Sequence, residues 1–164
     1  MKKIIYFITA VCIFLCACRR PEIYSDIPEI KFISFEKLNN TNGILTFYFQ
    51  DGDGNIGLNG YDIYPPFDTS SVYYYNFFCD YYEKQNGVFN KIDSIDNQGK
   101  IIAFNLNARI PRLSNLPEES INGEIYLKMV PYRDSTSFDT IKLSFYIVDR
   151  KLNHSNVEEV VVIR

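Results

Sequence analysis

Ile141-Lys142-Leu143-Ser144-Phe145-Tyr146-Ile147 decides the fold class, because every second residue is a large apolar one. Successive side chains of an extended chain point to opposite faces, so this period buries one face and leaves Lys142, Ser144 and Tyr146 on the wetter one. Leu45, Phe47 and Phe49, alternating with Thr46, Tyr48 and Gln50, repeat the pattern near the start of the chain. Working outward, strands are expected over Glu29–Phe35, Leu45–Gln50, Val72–Glu83, Val88–Ile92, Lys100–Leu106, Ile121–Val130, Ile141–Val148 and Val157–Ile163. Turn residues separate them: Asn39-Asn40-Thr41-Asn42-Gly43 tolerates positive φ, and Asn86-Gly87 suits a tight hairpin. A loop runs from Asp51 to about Ser70 and holds Pro65-Pro66. No ten-residue stretch has a helical period, and Pro117-Glu118-Glu119 opens one short turn at most. Short strands with regular turn signals predict an all-β, antiparallel β-sandwich of about 7–9 strands. Phe47, Phe49, Leu127, Leu143, Phe145 and Ile147 are its candidate core. Strands running strictly up and down would put the loops 51–70 and 149–156 at opposite ends. A hairpin flap at Val88–Ile92, or a crossing connection, would bring them together.

The N-terminus has a different chemistry. Met1-Lys2-Lys3 is positive, and Ile4–Leu15 is uncharged and apolar but for Thr9, yet too short for a bilayer span, which needs about 20 residues. Leu15-Cys16-Ala17-Cys18 follows, then Arg19-Arg20-Pro21. An apolar residue at −3, small ones at −2 and −1, then Cys, resembles the bacterial lipobox. That resemblance implies removal of residues 1–17 as a lipoprotein signal peptide and lipidation of Cys18. Residues 18–27 then form the lipidated Cys and tether, and 28–164 the sandwich domain. Each buried methylene contributes about 0.8 kcal/mol, so several acyl chains would anchor the protein to a membrane. Arg19-Arg20-Pro21-Glu22 lacks an Asp at +2, which would retain the protein at the inner membrane, and lacks an acidic surface-export cluster. The expected location is the outer membrane, on its periplasmic side.

Composition excludes several function classes. The chain carries −3 at neutral pH, and loss of Lys2 and Lys3 with the signal makes it more acidic, so nucleic acid is not an expected partner. Of four cysteines, Cys12 and Cys16 leave with the signal and Cys18 takes lipid, which isolates Cys79 and removes any intramolecular disulfide. Cys79 reads as a small buried hydrophobe on a strand. One histidine, His154, one remaining thiol and no phosphate-binding glycine loop argue against an enzyme.

Asp51-Gly52-Asp53-Gly54-Asn55-Ile56-Gly57 is the sharpest local feature. Alternating Asp and Asn with intervening glycines lets a chain wrap a hard cation, so Asp51, Asp53, Asn55 and Asp62 are candidate calcium ligands. Measured against the EF-hand pattern, Gly57 comes one place late, and Asp62 is shorter than the bidentate Glu expected there. A polar turn held by Asx hydrogen bonds is the alternative. The aromatic run suggests a second site. On the expected strand Val72–Glu83, Tyr73, Tyr75, Phe77, Cys79 and Tyr81 share one face, leaving Tyr74, Phe78 and Tyr82 on the other as candidate ligand-binding rings. Asp93-Ser94-Ile95, in an expected loop, resembles an O-glycosylation signal of Bacteroidetes-type exported proteins, with Ser94 as the acceptor.

Tyr146–Asn156 is similar to the final hairpin of bacterial immunoglobulin-like domains: a strand ends in Asp149, a turn with Asn153 and Ser155 follows, and a last strand closes the sheet. Leu152 stands where that turn usually carries Gly. Together with Phe49–Gly57, it resembles envelope lipoproteins of Bacteroidetes-type bacteria. The resemblance implies an immunoglobulin-like sandwich in the cell envelope. The expected role is a non-catalytic structural, assembly or protein-binding component that meets another envelope protein. Glycan binding through exposed tyrosines is the alternative.

Overall fold

The computed structural model describes residues 24–39, 42–95, 101–103, 106–113, 119–129 and 139–163. The expected signal 1–17 and Cys18 lie outside them. Among the described residues the chain forms β1 (Glu29–Lys37), β2 (Gly43–Asp51), β3 (Phe77–Gln85), β4 (Val88–Lys91), β5 (Asp93–Ile95), β6 (Ile101–Ala103), β7 (Ile121–Met129), β8 (Thr140–Ile147) and β9 (Glu158–Ile163). Two antiparallel sheets, β1-β2-β7 and β4-β3-β8-β9, make a β-sandwich, and β5 with β6 makes a separate two-stranded ribbon.

The core lies between the central strands. Leu45, Phe47 and Phe49 of β2 join Phe77, Cys79 and Tyr81 of β3 and Ile141, Leu143, Phe145 and Ile147 of β8 in one buried cluster. Phe47 is its hub, with ring centroids 5.8 Å from Phe77 and 5.5 Å from Phe145. Of the expected core, Leu127 alone is half-buried, because β7 is an edge strand of the smaller sheet.

The strand predicted over Val72–Glu83 is divided. Ser71 caps a 3-10 turn at Val72–Tyr74, its hydroxyl accepting from the Tyr73 N–H, and the strand begins only at Phe77. Local side-chain capping competes successfully with extension there. Tyr73 and Tyr75 therefore do not continue the face of Phe77, Cys79 and Tyr81. Ser94, expected in a loop, lies on β5 opposite Ile102.

The loops 51–57 and 149–156 are brought to one end by an arrangement of the β3 edge that differs from a hairpin flap. β4 pairs with β3 from Gln85↔Val88 to Tyr82↔Lys91, and the Ile92 N–H still donates to the Tyr81 carbonyl. Further along the same edge of β3, Phe77 bridges Ala108 in the same antiparallel sense, and the Asn107 side chain accepts from the Cys79 N–H. One edge strand is thus interrupted, with β5 and β6 inserted between its halves. As a result β2 and β8 end at the same pole, and the loops 51–57 and 149–156 meet.

Between the sheets, the edge of β1 is closed by side chains from the β8–β9 side. The Asn156 amide accepts from the Ile30 N–H at 2.8 Å and donates to the Ile30 carbonyl at 2.9 Å, and Glu158 accepts from the Phe32 N–H at 3.0 Å. An exposed strand edge invites pairing with other chains, and these contacts occupy its backbone groups.

Candidate functional site

The pole where β2 and β8 end is acidic. Asp51, Asp53 and Asp149 each offer a carboxylate oxygen, and the three oxygens lie within 4.8 Å of one another. Asp51 is the last residue of β2, paired with Ile121 and 0% exposed, because the pleat turns it inward at the rim of the core. Its Oδ2 accepts from the Asn55 N–H at 2.7 Å. Asp53 is 9% exposed; its Oδ2 accepts from the Asn55 side-chain amide and pairs with Lys151 Nζ, each at 2.7 Å. Asp149 is buried, and both its oxygens accept from Asn153, at 2.7 Å from the backbone N–H and 2.9 Å from the side chain. The remaining oxygens, Asp51 Oδ1 and Asp53 Oδ1, are buried without a hydrogen-bond donor among the described residues.

Burial, and then the charge of Asp53, push the Asp51 carboxyl up to about 6, with Asp149 adding to the rise and the backbone N–H groups of Asn55 and Ile56 opposing it. Two neighbouring cations moderate the pole without filling it. Lys151 reaches only Asp53 by ion pairing, and its side chain is 62% exposed. Arg150 spends its guanidinium on the Ile56 and Gly57 carbonyls, at 3.3 and 3.1 Å.

Three glycines let this loop sit where it does, each against a different segment. A Cβ on Gly52 would overlap the Tyr24 carbonyl, one on Gly54 the Glu119 carbonyl, and one on Gly57 the Pro111 carbonyl. The loop is also tied by hydrogen bonds from Gly52 N–H to the Ser25 carbonyl and from Arg150 N–H to the Asn55 carbonyl.

No family model matches the chain, and no curated protein or solved structure matches it either.

Of the candidate ligands named from sequence, Asp51 and Asp53 come together, whereas Asn55 and Asp62 are differently engaged. The Asn55 amide donates to Asp53, and its Oδ1 faces the Arg150 N–H at 3.3 Å. Asp62 pairs with Arg112 at 3.3 Å and caps the turn by accepting from the Asn59 N–H at 2.7 Å. The EF-hand register therefore does not describe this loop, and Asp149 from the distant β8–β9 turn supplies the third carboxylate. The signal that could have found it was present: Asp149 is the residue at which the strand of the Tyr146–Asn156 motif was expected to end.

The aromatic candidates do not form one patch. Tyr74 lies in the 3-10 turn under the Arg109 guanidinium, 4.9 Å from the ring centroid. Phe78 is buried and stacks on Tyr146, with centroids 5.0 Å apart, and Lys142 Nζ lies 4.6 Å over the Tyr82 ring. His154 stacks on Tyr146 at 5.3 Å. Burial, and then the Asp80 charge, push the buried Cys79 thiol up to about 12, far from thiolate reactivity. Among the described residues no helix is long and apolar enough to cross a membrane.

Proposed function

We propose that this chain is a lipid-anchored, non-catalytic envelope protein whose immunoglobulin-like sandwich serves as a structural or protein-binding module. The observation that carries the reading is the apolar run Ile4–Leu15 followed by Leu15-Cys16-Ala17-Cys18, placed shortly before the sandwich begins at Glu29. The strand order supports an immunoglobulin-like topology: the first, second and seventh strands in one sheet, and a hairpin strand, the third, eighth and ninth in the other. A non-catalytic role is supported by a buried Cys79 and by a His154 ring that stacks on Tyr146.

Lipid on Cys18 would fix the domain's orientation. Ser25 is bonded to Gly52 at the acidic pole, and the residues from 18 to 24 span at most about 25 Å when extended. The acidic pole would then face the membrane. Between protein and glycan as partner, the rings favour protein: sugars stack on open ring faces, but Tyr146 covers one face of Phe78 and Lys142 lies over Tyr82.

Cells grown with labelled palmitate test the anchor. The wild-type chain is expected to take up label and fractionate with the outer membrane, and Cys18→Ala to take up none. Equal labelling of the two would refute lipidation at Cys18, and a wild-type chain free of label would refute anchoring altogether.

A further inference from the structure

We propose that Asp51, Asp53 and Asp149 bind one calcium ion, which competes with the Lys151 ammonium for the acidic pole. The placement of the oxygens comes first. Calcium takes oxygen ligands at 2.3–2.6 Å, so two ligands on opposite sides of one ion stand roughly 4.6–5.2 Å apart. Oxygens of the three carboxylates already lie within 4.8 Å of one another. Their state is the second, independent observation. Asp51 Oδ1 and Asp53 Oδ1 are buried and have no donor, a condition that folded proteins normally avoid. The nearby donors bond other atoms: Asn55 and Lys151 the other oxygens, Asn153 those of Asp149, and Arg150 two carbonyls, while the Ile56 N–H acts on the Asp51 carboxyl without bonding Oδ1. A hard cation between the carboxylates would satisfy both orphan oxygens at once.

Lys151 is the built-in occupant of the mouth. Its single charge touches one carboxylate, on a flexible and mostly exposed side chain, and an ion pair of that kind is weak. Calcium would displace it and leave the solvent side of the site for water ligands. Bound there, the ion would join the end of β2 to the turn after β8, bracing one sheet against the other. This site does not depend on the lipid anchor, so either reading can fail without the other.

The test uses the full chain, purified in detergent and stripped with chelator. Calorimetric titration with calcium chloride is expected to give one ion per chain, with a Kd of about 0.1–1 mM, as in extracellular modules. Asp149→Asn keeps an acceptor for the Asn153 N–H, so the turn survives while binding weakens by about tenfold or more. Lys151→Met, on an exposed side chain, is expected to tighten binding by about two- to fivefold through loss of the competitor. Asp62→Asn, outside the trio, leaves binding unchanged. Absence of saturable binding by wild type up to about 10 mM calcium overturns the site. So does an Asp149→Asn variant that binds like wild type. An unchanged affinity in Lys151→Met overturns the competition.

Discussion

At the scale of single residues, Asp51 carries a clear energetic cost. It is fully buried, one of its oxygens lacks a donor, and Asp53 and Asp149 stand beside it. Asp51 takes up its proton near 6 in the folded state, against 3.8 for the ordinary side chain. The folded chain therefore holds more protons than the unfolded one between those values, and stability falls as pH rises through that window. With the cation chelated, Asp51→Asn is expected to stabilise the protein at pH 8 by on the order of 1–3 kcal/mol, and the advantage should shrink toward zero by about pH 4. The groups facing Asp51 that bear on this are Asp53, Asp149 and Arg150, with Lys151 reaching the pole through Asp53. Melting curves of both proteins across this pH range provide the check, and a difference that does not change with pH would refute the origin assigned to it. In saturating calcium the order should invert, because the variant has lost a ligand.

At the scale of elements, the turn after β8 holds its shape against its own sequence. Leu152 adopts φ 66, in the left-handed region where a Cβ crowds the backbone and Gly is favoured. Asp149 and Asn153 keep the turn closed, through the Asp149 N–H to the Asn153 carbonyl and the Asn153 N–H to Asp149 Oδ1. Leu152→Gly is therefore expected to stabilise the domain by about 0.5–1 kcal/mol, after allowing for the extra freedom of Gly in the unfolded chain. Denaturant titration measures this, and a loss of stability would mean that Leu152 packing outweighs the strain. Gly54, at φ 63 beside the Glu119 carbonyl, shows the opposite arrangement: the sequence supplies the residue that the backbone requires. The same scale explains the misread strand at Val72. Period-2 aromatics predict extension equally well on either side of Asn76, and only the Ser71 cap distinguishes the 3-10 turn from β3.

At the scale of the whole molecule, stability rests on the contact between two sheets, with Phe47 at its centre. Phe47→Ala removes a fully buried ring from between β2, β3 and β8, and is expected to cost about 3–5 kcal/mol. A melting temperature close to wild type would show that the sheets do not meet there. The sequence alone was enough for the all-β class and for most strands, because burial on one face imposes period 2 on each strand separately. Leu45, Phe47, Phe49, Leu143, Phe145 and Ile147 announce their face without reference to any partner. The nearness of Asp51 and Asp53 to each other was also legible, since they stand two residues apart where β2 ends and the loop begins. Asp149 depended on tertiary structure. Its place beside Asp51 follows from the interrupted edge strand, which returns the chain to the pole between β4 and Ala108, and no local pattern encodes that path. The assignment of Asp62 to Arg112 was equally hidden, because ion pairing is decided by which segments pack together. Period and turn chemistry act over a few residues, whereas a site built from two loops is fixed only when the sheets have closed on their core.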